Sequence, residues 1–353
     1  MSISIQTIQA ERSDDMGKAI KVGVIGAGRI GKIHIENLCY RVPNVQVAAI
    51  ADVAVDETCK WAKQFGIANV VADPMAVISD RSIDAVLICS PTDTHADLII
   101  AAARAGKDIF CEKPIANDLG KTTAALAAVK ETGVKLQVGF NRRFDPNFKR
   151  IKELIQGGEL GDLHIVKITS RDPAPPPIEY VEVSGGIFMD MTIHDFDMAR
   201  YLTGSEVTEV YASGSVLIDP EIGKAGDWDS AVVVLKFANK ATCVIDNSRQ
   251  AAYGYDQRVE AFGSRGSAIA YNNKPTNVEV STEKAVCTDK PLYFFLERYM
   301  DSFAQELKDF VEALESGSPM PVTGEDGLQS LYVAIAATKS AKENRPVKIT
   351  EVM

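Results

Sequence analysis

The segment KVGVIGAGRIG, residues 21–31, leaves few folds open to this chain. An apolar, β-branched run passes straight into Gly26-x-Gly28-x-x-Gly31, and a periodic pattern, IGKIHIENLCYR, follows it. Strand, glycine turn and helix in immediate succession form a phosphate cradle. Gly26 permits the tight turn, Gly28 lets a pyrophosphate approach the backbone, and Gly31 lets helix and strand pack closely. The helix opens with Arg29 and Ile30, where free N–H groups and the positive dipole end favour an anion. The next strand candidate, VQVAAIAD, ends on Asp52, 21 residues beyond Gly31, where an acid meets the ribose hydroxyls of a dinucleotide. A carboxylate there accepts from a 2′-hydroxyl and repels a 2′-phosphate, and Val53 and Ala54 bring no cation. The reading is NAD over NADP, with Arg29 the one residue that pulls the other way.

Further apolar runs (AVLICS, DIFCEKP, KLQVGF) alternate with helical patterns such as ADLIIAAARAG and LGKTTAALAAVKETG, which end in Gly106 and Gly133. Near-continuous apolar strands separated by helices predict a parallel sheet covered on both faces. From about Lys149 the texture changes. A short helix, FKRIKELIQGG, leads into LHIVKITS, VTEVYASGSV, SAVVVLKF, ATCVIDNS, QRVEAFGS and SAIAYN, with a hairpin turn at FANKA. These predict an open, mostly antiparallel sheet with one covered face. The fold class is therefore α/β: an N-terminal Rossmann dinucleotide-binding domain and a C-terminal α/β domain. The expected division is a flexible extension over 1–18, an NAD-binding domain over 19–142, and a substrate-binding and oligomerisation domain over 143–353. The C-terminal helix is left able to pack back on the first domain, and the two domains are expected to enclose a cleft.

Composition removes other classes. Of 353 residues, 46% are hydrophobic and 24% charged, and no apolar run is long enough to span a bilayer. A net charge of −10 without a Lys/Arg stripe argues against nucleic acid. The six cysteines are scattered, which suggests reduced thiols in a cytoplasm and not a disulfide frame or zinc site.

The stretch GGIFMDMTIHDFDMARYLTG, residues 185–204, reads as one partly buried helix that carries Asp190, His194, Asp195 and Asp197. Residues four apart share a helix face, so Asp190 and His194 would point together. Imidazole is a suitable proton acceptor near neutrality, and a nearby carboxylate would orient it. Against this stand a helix N-cap for Asp190 and a hydrogen-bonded, half-buried role for His194. Asp195 and Asp197 are read as structural, as are His34 and His164. No metal is expected, since the pair lacks a third strong ligand apart from Asp197.

Taken together, the glycine loop, SPTDTH (residues 90–95), EKP (residues 112–114) and Asp190-x-x-x-His194 resemble the glucose–fructose oxidoreductase/inositol dehydrogenase/MocA family. The likeness runs from Lys21 nearly to the C-terminus. Within the family, GFNRRFDPNF, SRDPAPPPIEY and the 185–204 stretch are most similar to inositol 2-dehydrogenases. The resemblance implies NAD-dependent oxidation of a secondary alcohol on a polyol or sugar ring, foremost myo-inositol to its 2-keto product. It implies that Lys113 touches the reacting hydroxyl, that His194 accepts its proton and that Asp190 assists. Ser90, Thr92, His95 and Glu112 would line the cofactor. Arg142, Asp172 and Tyr253 or Tyr255 would hold the other hydroxyls; the two tyrosines lie two apart on an expected strand and stay unseparated. The family also implies a homo-oligomer, foremost a tetramer. Another inositol isomer or a sugar remains an alternative substrate. A non-catalytic NAD sensor is the alternative of another class, and it would have no need of Lys113, Asp190 and His194.

Overall fold

The computed structural model describes residues 19–353, so the extension expected over 1–18 lies outside the described residues. The chain forms two compact units. One comprises the residues up to Gly139 with Phe303–Gly324, the other Phe140–Ser302 with Glu325–Met353.

In the first unit, strands and helices alternate: β1 (Ile20–Ile25), α1 (Arg29–Tyr40), β2 (Val45–Ala51), α2 (Val55–Ala62), β3 (Val70–Val71), α3 (Pro74–Ile78), β4 (Ala85–Ile88), α4 (Thr92–Arg104), β5 (Asp108–Glu112), α5 (Leu119–Thr132) and β6 (Leu136–Gly139). All strand pairs are parallel, in the order β3-β2-β1-β4-β5-β6. Every residue of β4 and β6 is buried, as a sheet covered on both faces requires. The order reverses between β1 and β4, and such a switch point opens a ligand crevice at the carboxyl ends of the strands. The core around Val24, Ile50, Leu87 and Phe110 is completed by Leu307, Phe310 and Val311. These come from Phe303–Gly324, so a stretch from late in the chain is built into the first unit.

The second unit contains α6 (Pro146–Gln156), β7 (Leu163–Arg171), α7 (Ile178–Ser184), α8 (Ile187–Asp190), α9 (Ile193–Thr203), β8 (Val207–Ser215), α10 (Pro220–Lys224), β9 (Ser230–Phe237), β10 (Thr242–Ser248), β11 (Asp256–Gly263), β12 (Gly266–Ala270), β13 (Glu279–Ser281) and β14 (Val286–Thr288). It takes in part of α11 (Phe295–Ser316) and of α12 (Gly324–Glu343), and ends with β15 (Val347–Lys348). Seven strands form a mixed sheet, β12-β11-β7-β10-β9-β8-β15. Only β7 and β10 pair in parallel. Burial alternates along β9 and β10, which turns one face to the core. The opposite face exposes Ile165, Tyr211, Val232, Phe262 and Ile269, of which the register pairs Ile165 with Phe262. At one end of the buried face the apolar residues give way to Ser170, Asn247 and Gln257.

Two local expectations fail. Residues 185–204 are not one helix: α8 ends at Asp190, and α9 starts at Ile193 after a turn at Met191–Thr192. Asp190 thus closes a helix and is no N-cap, and it shares no continuous face with His194. Tyr253 and Tyr255 lie in the turn before β11, not on it, and Gly254 between them has φ 128°. That backbone turns the two side chains into different surroundings.

Candidate active site

The first unit builds a dinucleotide cradle from its backbone. Gly26 has φ 93°, and a Cβ there would stand 2.6 Å from the Ser90 nitrogen at the end of β4. A Cβ on Gly31 would meet the Gly26 carbonyl oxygen at 2.0 Å, so only glycine lets α1 close on the loop. Gly28 is different: no heavy atom lies within 4 Å of the Cβ it lacks. The loop is open on that side, and α1 begins there with no side chain capping its N-terminus. An open backbone beside uncapped helix N–H groups fits a pyrophosphate.

Asp52 follows β2 and reaches back to this loop. The Ala27 N–H donates to Oδ2 at 2.6 Å and the Ala54 N–H donates to Oδ1 at 2.8 Å. Each carboxylate oxygen keeps a further lone pair for a ribose hydroxyl. On the β4 side, Ser90 and Thr94 hydroxyls bond each other at 2.6 Å, and Thr94 donates to the Pro91 carbonyl. Thr92 opens α4. His95 is buried, and its two ring nitrogens each lie 2.8 Å from a carbonyl, those of Ser90 and Pro114. It ties the end of β4 to the EKP segment, so its place is to shape the rim. Glu112 ends β5 and accepts a hydrogen bond from His34, and Lys113 follows it.

The second unit gathers a different chemistry. Arg142 sits on a short 3-10 turn, buried, and donates to Asp195 Oδ1 at 2.5 Å. Asn247 Nδ2 donates to the other Asp195 oxygen at 2.8 Å, and Thr192 donates to Asn247 Oδ1 at 2.7 Å. Burial opposes the Arg142 charge, but Tyr299, Tyr255, Asp195 and Asp172 around it outweigh burial and hold it firmly protonated. Asp195 is therefore the residue that fixes Arg142. Asp197 does the same for Arg143, which grips it through two hydrogen bonds and also reaches Asp326.

Asp190 accepts from the Tyr180 hydroxyl at 2.7 Å and pairs with Arg249 at 3.4 Å. Arg249 is fully buried and also holds Asp227, whose other oxygen accepts the Ile187 N–H. Asp172 shares these surroundings. Burial raises its pKa to about 6; Asp190 and Asp195 push the same way, while Arg249 and Arg142 oppose. His194 packs edge-on against Phe140 at 5.9 Å. Tyr255 is buried against Tyr299 and feels Arg142, Asp172 and Asp195. Tyr253 instead is exposed, donating to Asp256 and accepting from Arg171. Arg142, Asp172, Asp190 and Tyr255 thus fall in one polar neighbourhood and Tyr253 in another. Arg249, Tyr180 and Asn247 were not singled out from sequence. Tyr180 stands within the SRDPAPPPIEY stretch, but Arg249, at the end of a plain strand pattern, gave no signal.

Known proteins are similar to this chain in sequence and fold. Residues 20–140 match the oxidoreductase family's NAD-binding Rossmann fold, and residues 152–349 match that family's C-terminal alpha/beta domain. An uncharacterized oxidoreductase of Bacillus subtilis is 54% identical over 95% of this chain and 98% of its own. A myo-inositol 2-dehydrogenase of Thermotoga maritima is 52% identical over 95% of this chain and all of its own. The crystal structure of a probable dehydrogenase from Thermotoga maritima superposes with a TM-score of 0.93 at 52% identity, covering 95% of this chain and 100% of the other. The scyllo-inositol dehydrogenase of Lactobacillus casei, solved with NAD(H) and scyllo-inositol, gives 0.87 at 31% identity over 94% and 100% of the two chains. With a glycine loop fitted to a pyrophosphate and a family match over both units, this chain belongs to the glucose–fructose oxidoreductase/inositol dehydrogenase/MocA family of NAD-binding oxidoreductases.

Proposed function

We propose that this protein oxidises a ring secondary alcohol with NAD, its substrate being myo-inositol and its product the 2-keto inositol. The observation that carries the reading is the polar neighbourhood of Arg142, Asp172, Asp190, Arg249 and Tyr255. Donors and acceptors of both kinds, braced by buried partners, suit a ligand whose ring carbons all bear hydroxyls. Bound NAD supplies the hydride acceptor, held by Gly26, Gly28, Arg29, Ile30, Gly31 and Asp52, with Ser90, Thr92, His95 and Glu112 at the rim. Lys113 contacts the reacting hydroxyl and His194 takes its proton as the carbon–hydrogen bond breaks. Asp190, oriented by Tyr180 and Arg249, assists His194. Arg142, Asp172 and Tyr255 hold the remaining hydroxyls.

A scyllo-inositol substrate is the second reading, favoured by the likeness to the Lactobacillus casei enzyme. The test is an NADH-absorbance screen of inositol isomers and sugars, run with NAD and with NADP. Turnover of myo-inositol with NAD is expected, and silence with every polyol and sugar refutes the dehydrogenase. Lys113→Ala and His194→Ala should lose far more turnover than NAD affinity. The assembly is proposed as a homotetramer in the cytoplasm. Support comes from the exposed apolar face of the second unit's sheet and from six cysteines that are all free thiols. Light scattering measures the assembly, and a monomer at micromolar concentration excludes it.

A further inference from the structure

We propose that His34 and Glu306 are positioning residues for the dehydrogenase reaction, fixing the Glu112 carboxylate and through it the backbone that carries Lys113. The inference rests on the role of Lys113 proposed above. His34 comes from α1, Glu112 from the last position of β5, and Glu306 from α11. His34 and Glu306 are fully buried, and one polar atom from each of the three lies within 4.8 Å of the other two. His34 Nε2 donates to Glu112 Oε1 at 2.6 Å. The ring is set edge-on between Phe110 at 5.2 Å and Phe303 at 5.8 Å, which fixes the direction of that bond. Across the sheet, Gly139 pairs with Glu112, and a Cβ there would stand 3.1 Å from the Glu112 carboxyl carbon. A glycine at this point leaves the space the carboxylate fills. Gln137 donates to the Glu306 carbonyl at 3.0 Å and holds that part of α11 to β6.

Glu306 is the unusual member. Both its carboxylate oxygens are buried without a hydrogen-bond partner, a costly state for an ionised group. Burial first, and then the Glu112 charge, push its pKa well above the usual carboxylate range. Burial and the nearby Glu112 charge thus favour the neutral form of Glu306, which stands within 4.8 Å of Glu112, close enough to be bridged to it by one water. Zinc is a poor fit. Tetrahedral bonds of 2.0–2.1 Å separate ligand atoms by about 3.4 Å, whereas the His34–Glu112 contact is 2.6 Å. Glu112 is thus held directly by His34, with the buried Glu306 within 4.8 Å of it, and the residue after it is Lys113.

The full chain is tested as wild type, Glu306→Ala, Glu306→Gln, His34→Leu and Gly139→Ala, by turnover, NADH fluorescence titration and metal analysis. Glu306→Ala and His34→Leu should lose about tenfold or more in kcat while NADH affinity stays within about twofold, because misplacement and not binding is at stake. Glu306→Gln, a mimic of the neutral acid, should recover most of what Glu306→Ala loses. Wild-type kcat in both His34→Leu and Glu306→Ala overturns the proposal. So does a Glu306→Gln variant as impaired as Glu306→Ala, or a stoichiometric metal that Glu306→Gln loses. Should Glu306→Ala not fold, Gly139→Ala decides: a kcat lowered about tenfold supports the positioning, and an unchanged kcat refutes it. Absence of wild-type turnover removes the functional reading and this proposal with it, whereas active wild type with indifferent variants removes this proposal alone.

Discussion

Replacing Asp172 by Asn should make the protein more stable and worse at binding its substrate. Asp172 has its pKa raised from an ordinary 3.8 to about 6, burial being the first cause and Asp190 and Asp195 adding to it. A group with a raised acid pKa binds its proton more tightly folded than unfolded, so it opposes folding wherever it must ionise. At about 1.4 kcal/mol for each pH unit, the rise amounts to about 3 kcal/mol at pH 7. That is a ceiling, since Arg249 and Arg142 lose a partner when the carboxylate goes. The cost is complete above about pH 6, near half at about pH 5, and gone below about 4. In a unit of this size each kcal/mol moves the melting temperature by about 2–4 °C. Asp172→Asn should therefore raise the melting temperature of the free protein by several degrees at pH 7, by about half as much at pH 5, and not at all below pH 4. The KM for the polyol should rise in the same variant, and in the wild type it should rise as pH falls below about 6. Thermal melts across pH 4–8 with parallel KM values make the test. A gain that does not shrink as pH falls, or a loss of stability at pH 7, refutes the account of Asp172 as a strained, substrate-facing carboxylate.

Other substitutions probe the remaining parts. Gly31→Ala places a methyl 2.0 Å from the Gly26 carbonyl oxygen, so α1 must move off the loop and NADH affinity should fall at least about tenfold; an unchanged fluorescence titration would show that the cradle does not depend on this packing. Asp52→Ser removes the acceptor of the Ala27 and Ala54 N–H groups together with its charge. The ratio of kcat/KM for NADP over NAD should rise by about tenfold or more, and a ratio that stays put would leave cofactor choice to another residue. Asp195→Ala strands the buried Arg142 charge, and urea unfolding should show a loss of about 3–5 kcal/mol, whereas a loss under about 1 kcal/mol would mean that Arg142 finds another partner.

The fold was legible wherever local pattern and global architecture agree. KVGVIG, AVLICS and DIFCEKP became β1, β4 and β5 because strands buried on both faces are apolar throughout, and that composition survives without knowledge of any neighbour. The two-residue β3 and β15 and the exposed ribbon β13–β14 went unread, because such short or solvent-facing strands have no apolar period to display. The break inside residues 185–204 was hidden for a related reason. Ile187, Phe188, Met189, Met191 and Ile193 are all buried, so apolar residues run up to the turn on both sides and no glycine or proline marks it.

In the candidate site, residue types could be read from the sequence and their pairings could not. Asp195 and Asp197 looked like structural residues, and they are, but only the fold shows that what they stabilise is Arg142 and Arg143, more than fifty residues earlier in the chain. Both carboxylates are buried, and neither would stay ionised there without its guanidinium, so the pairing and the burial require each other. Arg249 makes the same point more strongly. Nothing in DNSRQ distinguishes it, yet it is buried and bridges Asp190 and Asp227, so the orientation of a proposed catalytic carboxylate depends on it. Sequence motifs mark the groups that would meet cofactor and substrate because the chemistry restricts their type. The residues that aim those groups are restricted by position alone, and position is what folding supplies. Tyr253 and Tyr255 separate on that ground: identical in type and two apart in sequence, they are divided by a backbone at Gly254 that sends Tyr255 toward Arg142 and Asp172 and Tyr253 outward, against Arg171 and the buried Asp256.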